Sequence, residues 1–182
     1  MKSASIWRDL VVVCSVLHGL VWSSAAELQV DLPVSAKTST VESDTTAVYY
    51  SSRPLLLGND GSAATGGFHA WSLDSASPLN ETVAKVTGRT KLVALVYDVG
   101  QKDLIVTIAQ PDSLLRVFDA SSMREIKGAE TRALGDWSAL CTWRSADSGN
   151  QYFYLFGKKQ AAQYLIRKMR ADYEIVKVVF YV

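Results

Sequence analysis

Apolar positions along this chain cluster in short runs that alternate with polar turns, and the runs recur. Leu55-Leu56-Leu57-Gly58 leads through a Gly-rich loop into Phe68-His69-Ala70-Trp71-Ser72-Leu73-Asp74. Leu104-Ile105-Val106-Thr107-Ile108-Ala109 leads through Gln110-Pro111-Asp112-Ser113 into Leu115-Arg116-Val117-Phe118-Asp119. Tyr152-Phe153-Tyr154-Leu155-Phe156-Gly157 leads through Lys158-Lys159-Gln160 into Ala162-Gln163-Tyr164-Leu165-Ile166. Each predicts a buried strand, a turn and a strand with partial alternation. Ala47 to Tyr50, Lys91 to Val99, Trp137 to Trp143 and Tyr173 to Val182 supply further strand candidates.

Aligning Gly58, Ala109 and Gly157 gives spacings of 51 and 48 residues; aligning Trp71, Phe118 and Leu165 gives 47 twice. A period near fifty with almost no helix signal predicts an all-β chain, an incomplete β-propeller of about three blades with about four strands each. A β-sandwich with roughly regular strand spacing is the competing architecture. Three blades do not close a ring, and the last apolar run, Val178 to Val182, has no polar tail after it. The expectation is the front part of a longer protein, with dimerisation through the open faces as the alternative.

Residues 1–26 are read separately. Lys2 and Arg8 precede an interrupted apolar run, Leu10 to Val21, and Ser24-Ala25-Ala26 offers small residues for cleavage. This is the pattern of a secretory signal peptide, with an uncleaved anchor as the alternative. Residues 27–182 are then the extracellular, secreted domain, with no membrane span. Beyond the signal the chain holds one cysteine, Cys141, read either as a buried thiol or as half of a disulfide, and one histidine, His69. Asn80-Glu81-Thr82 is a glycosylation sequon.

Composition adds exclusions. The 182 residues are 48% apolar and 20% charged with a formal net charge of +1, so nucleic acid is not an expected partner. Two His and two Cys leave no zinc site of the usual type. Gly61 to Gly66 has the glycine spacing of a phosphate loop, but Gly67 and Phe68 follow where Lys and Ser/Thr are required, so it is a turn. Asn59-Asp60-Gly61 carries oxygen ligands that could suit calcium, and turn formation explains it equally well. His69, in an alternating strand beside Trp71, is expected to be structural. Arg167-Lys168-Met169-Arg170 reads as an exposed basic turn. Lys158 and Lys159 occupy a turn between two strong strands, where paired ammonium groups suit an anion such as phosphate, with ordinary solvated turn lysines as the commoner alternative.

Three stretches carry a resemblance: Pro54 to Phe68, Gly135-Asp136-Trp137-Ser138-Ala139-Leu140-Cys141, and Gln151 to Gln160. Together they resemble fungal members of the β-propeller phytase (3-phytase) family, over about Val41 to Arg167. The resemblance implies a six-bladed propeller of which this chain is the N-terminal part, the remaining blades or a second propeller being its partner. It also implies a calcium cofactor and hydrolysis of phosphomonoesters of phytate, with metal-activated water as nucleophile. By resemblance Lys158 or Lys159 binds phosphate, Asp136 lies near calcium, and the disulfide partner of Cys141 lies further along. Bacterial members open a blade with Asp-Asp-Pro-Ala-Ile-Trp; here Trp137 stands in place of the second Asp and Ser138 in place of Pro. The remaining carboxylates and the phosphate-binding Arg belong to later blades, so this segment alone is expected to be inactive. A degenerate, non-catalytic propeller that binds ligand or packs against a partner domain is the alternative.

Overall fold

The computed structural model describes residues 37–62, 64–74, 81–86 and 88–181, so the signal-peptide and sequon asparagine assignments (residues 1–26 and Asn80) lie outside the described residues. Among the described residues there is no helix. Strands β1 (Thr46–Tyr49), β2 (Leu55–Asn59), β3 (Gly67–Ser72) and β4 (Glu81–Lys85) form a first antiparallel sheet in chain order. A second sheet holds β5 (Arg89–Val99), β6 (Lys102–Gln110) and β7 (Leu114–Asp119). The free edge of β7 is shared by two short strands, β8 (Arg124–Glu125) and β9 (Thr131–Arg132). A third meander holds β10 (Trp137–Arg144), β11 (Gln151–Gly157), β12 (Ala161–Met169) and β13 (Asp172–Tyr181).

The repeat seen in the sequence therefore marks consecutive sheets, each a local meander. The glycine-based alignment holds to within one ladder position: Gly58 and Gly157 pair with Thr46 and Trp137, the first paired residues of β1 and β10, and Ala109 pairs with Thr90, one residue after the first paired residue of β5, Arg89. The even 47-residue spacing does not. Trp71 pairs with Leu56, Phe118 with Ile105 and Leu165 with Tyr152, at different offsets from the aligned glycine positions. The turns between second and third strands differ in length, and because side chains alternate across a strand, a one-residue change in register moves a residue to the other face.

Two apolar clusters hold the sheets together, and the second sheet belongs to both. Val93, Leu95, Ile105 and Phe118 pack on Tyr49, Leu57, Phe68 and Ala70 of the first sheet. Leu92, Leu104, Val106, Ile108, Leu115 and Val117 pack on Phe153, Leu155, Tyr164 and Ile166 of the third. Near-continuous burial of β5 and β6 follows from having a sheet on each face. Burying each such side chain is worth about 1.5–3 kcal/mol. The third sheet is covered on one face only. On its other face Trp143 stacks on Tyr152 and Tyr154 on Phe156, with Trp143 50% and Phe156 42% exposed. Cys141 belongs to this uncovered face. It is a free, exposed thiol rather than a buried one, because β10 is the edge strand of that sheet and nothing among the described residues lies over it. The supposed basic turn at Arg167 is also corrected: β12 runs on to Met169, and Arg167 is ion-paired with Glu174 of β13 at 2.9 Å.

A buried amide links the first two sheets. Asn59, with no exposed surface, accepts at Oδ1 from Ser43 Oγ (3.1 Å), the Asp44 and Thr45 N–H groups (3.0 and 2.7 Å) and Thr45 Oγ1 (3.1 Å). Its Nδ2 donates to the Thr90 carbonyl at 2.9 Å. At the far end of the second sheet, Asp119 closes the turn after β7. Its carboxylate accepts from Lys102 Nζ (2.5 Å), Ser121 Oγ (2.5 Å) and the Ser121 and Ser122 N–H groups (2.9 and 3.1 Å).

Replacing Asn59 with Leu orphans this set of buried groups and is expected to cost about 3 kcal/mol, read as a lower urea midpoint at unchanged slope. Asn59→Asp is also destabilising, since the carboxylate faces the Thr90 carbonyl without a proton to donate. For Asp119, burial pushes the carboxyl upward, but Lys102 and the serine donors outweigh it and hold it well below the usual carboxylate range. A folded-state value below the unfolded one, about 3.9, means stabilisation complete above about pH 5 and lost as pH falls. Between pH 5 and pH 2 the wild-type melting temperature should therefore fall by about 3 °C more than that of Asp119→Asn, measured by circular dichroism.

Candidate functional site

In an antiparallel meander the start of the first strand, the end of the second and the start of the third lie at one end of the sheet. Hydrogen bonds and ion pairs bring these ends of neighbouring sheets together. Asn59 reaches Thr90, Ser113 Oγ donates to the Gly135 carbonyl at 3.2 Å, and Lys91 Nζ meets Asp136 Oδ1 at 2.8 Å. This end carries the β2–β3 loop, the β6–β7 turn and the β11–β12 turn, and it contains Asp136, Lys158 and Lys159 together.

The approach to β10 is rigidly held. Trp137 is buried in the core shared by the second and third sheets, and its indole N–H donates to the Ala133 carbonyl at 2.6 Å. Gly135, at a φ of 151°, leaves no room for a Cβ between Gln160 and the Trp137 ring, and a Cβ at Gly157 would overlap the Asp136 carbonyl oxygen. Gln160 Nε2 donates to that same carbonyl at 3.5 Å, and the Gly157 N–H closes the turn on the Gln160 carbonyl at 2.8 Å. The backbone of Asp136 is thus fixed against the Lys158–Lys159 turn. Its side chain, 84% exposed, projects to Lys91. The hydrogen bond and charge of that ammonium hold the Asp136 carboxyl below its usual range.

Lys158 and Lys159 are exposed in the turn, and no ion pair engages either ammonium among the described residues. By contrast, Arg89 Nη2 lies 3.7 Å from both Glu42 and Asp44. The β11–β12 turn thus presents two adjacent exposed ammonium groups, a placement suited to an anion.

The loop after β2 is accounted for by its own hydrogen bonds. Asp60 accepts from the Ser62 N–H (3.0 Å) and Thr65 Oγ1 (2.6 Å), and Asn59 spends its oxygen on four donors. His69 meets Glu81 at 2.5 Å and Asp60 at 3.7 Å while stacking on Trp71. Those contacts tie β4 and the loop to β3.

Two residues of this end escape a reading of the sequence. Asn59 stands in what looks like a turn-forming Asn-Asp-Gly, and only its burial shows that it joins two sheets. Lys91 is the extra residue of a bulge: Thr90 pairs with Ala109 and Leu92 with Ile108, leaving Lys91 between them without a partner. Bulges re-aim side chains, and this one turns Lys91 toward β10. No protein-family model, no curated protein and no solved structure matches this chain.

Trp137→Ala is expected to cost about 3–5 kcal/mol through the cavity it leaves. Trp137→Phe should cost about 1–2 kcal/mol, keeping a ring but orphaning the Ala133 carbonyl; denaturant unfolding measures both.

Proposed function

We propose that the three sheets are consecutive blades of an incomplete β-propeller of the phytase type, and that the chain binds a phosphate monoester such as phytate at the Lys158–Lys159 turn. It would form the opening part of a secreted phosphomonoester hydrolase. The observation that carries this reading is a pair of exposed ammonium groups on a turn whose base is immobilised by Trp137, Gly157 and Gln160. Supporting the architecture, each sheet is a meander in chain order and the first strands adjoin one another, β5 lying against both β1 and β10. Those features are also what consecutive propeller blades require.

The calcium ions expected from the resemblance do not find a cage here. Calcium takes 6–8 oxygen ligands, whereas Asp136 is the one carboxylate beside the turn that the resemblance assigns to metal, and it is engaged by an ammonium. Among the described residues no group of three or more His, Cys, Asp or Glu side chains is placed to hold a metal ion. Trp137, standing where a second Asp would be, is buried and serves the core. The residues of this chain therefore bind and orient the anion, and no hydrolytic step is assigned to them. These same observations favour the second reading, a non-catalytic, phosphate-binding propeller segment, for the chain taken by itself.

Charge reversal tests the binding. Lys158→Glu combined with Lys159→Glu should abolish phosphate affinity while the circular dichroism spectrum and melting temperature stay as in the wild type, since both side chains are exposed. Retained affinity in the double variant would reduce the two lysines to ordinary surface residues.

A further inference from the structure

Side chains alternate across a strand, so the offset of a residue from the aligned small residue of its second strand fixes the face it takes. Leu57 and Leu55, one and three places before Gly58, face the second sheet; Ile108 and Val106, at the same offsets before Ala109, face the third. The opposite parity faces backward: Ile105 packs on the first sheet, and Leu155 and Phe153 pack on the second. Carried one step further, the same rule sends Phe156 and Tyr154 of β11 toward a following sheet and Leu56 of β2 toward a preceding one. Among the described residues neither sheet is there. Phe156 is 42% exposed, and the same face carries Trp143 and Tyr181 at 50% and 60%. Leu56 pairs with Trp71, and a cavity of about 510 Å³ separates Leu56, Gly58 and Trp71 from residues 37–41. The buried Trp71 indole N–H has no hydrogen-bond partner among the described residues. Packing on that side of the first sheet is incomplete.

We infer that the two open faces meet in a second copy of this chain, the third sheet of each copy packing on the first sheet of the other. This rests on the reading of the three sheets as consecutive propeller blades. One chain carries both halves of an interface that it already makes twice within itself, from first sheet to second and from second to third. Strand β10 of one copy then lies against β1 of the other, as β1 lies against β5 and β5 against β10. A head-to-tail step of constant hand closes into a ring or runs on as a filament. Two copies of three sheets make six, inside the range of about four to eight that propeller rings hold, and three copies exceed it. Both junctions form in one association, so the freedom of the separate copies is lost once for two interfaces. The exposed aromatic face of the third sheet is the kind of patch that marks a protein contact.

The test is sedimentation equilibrium of the purified chain over a concentration series, in reducing buffer so that Cys141 cannot cross-link two copies. The wild type should pass from monomer to dimer and no further, and the labelling rate of Cys141 by a maleimide should fall several-fold as the dimer fills, since Cys141 lies opposite Tyr154 on the face to be covered. Phe156→Glu and Leu56→Glu should each be monomeric with the wild-type circular dichroism spectrum, and Cys141 of Phe156→Glu should label quickly at every concentration. If Leu56→Glu loses that spectrum, Val83→Glu replaces it, because Val83 shares the open face of the first sheet and is 38% exposed. A wild type that stays monomeric, or one that forms larger rings or filaments, overturns the inference. A dimer that survives the first-sheet substitution but not Phe156→Glu joins third sheet to third sheet and overturns it as well. Phosphate titration of the same samples separates the two readings: a monomer that binds phosphate sinks the pairing alone, and a dimer that binds none sinks the ligand alone.

Discussion

A single side-chain amide, buried without exposed surface, decides how the first sheet meets the second. Asn59 gathers the segment before β1 with one oxygen and holds the start of β5 with its nitrogen. Thr90 extends the same join, accepting the Gly67 N–H at its hydroxyl and donating its own N–H to the Asp60 carbonyl. Apolar packing would bring two sheet faces together over a range of offsets, because the hydrophobic effect has no direction. Hydrogen bonds in a dry interior have direction, and unmade ones are costly. Asn59 and Thr90 thereby fix which residues of β5 stand beside the loops of the first sheet. Lys91 follows Thr90 directly.

The charged end of the second and third sheets shows a related economy. A tryptophan in the core, two positions where a Cβ would not fit and one glutamine hold a loop so that two lysines can remain unpaired in solvent. Repulsion between neighbouring ammonium groups is small at such exposure, so leaving them free costs the fold little. Asp136 belongs to the same loop but faces the other way, toward the preceding sheet. In space its carboxylate is ion-paired with Lys91 of β5.

Much of the strand content was legible because apolar runs and turn residues are local signals. Gly58, Ala109 and Gly157 mark corresponding ladder positions to within one residue, since small residues recur at or next to the point where the first strand begins to pair. Trp71, Phe118 and Leu165 do not, although their spacing is more regular, because spacing along a chain ignores the length of the intervening turn. Strand β4, with the sequence Glu-Thr-Val-Ala-Lys, carries too weak an apolar pattern to stand out, and β8 and β9 are two residues each. Lys158 and Lys159 were found because a turn exposes whatever it contains. Lys91 was hidden because a bulge is a property of a strand pair, not of one strand, and of the two readings of Cys141 the buried thiol fails because burial depends on what lies over a face.

The two apolar clusters have a consequence for how the molecule comes apart. The second sheet contributes to both, while the first and third sheets each contribute to one. Cooperativity therefore runs between nearest neighbours, as in a one-dimensional chain of coupled units. Opening the first or third sheet breaks one interface and leaves a two-sheet remnant with a core; opening the second breaks both and leaves none. The middle sheet is the keystone of the assembly, and a perturbation at the Asn59 join can influence the lysine turn only by passing through it.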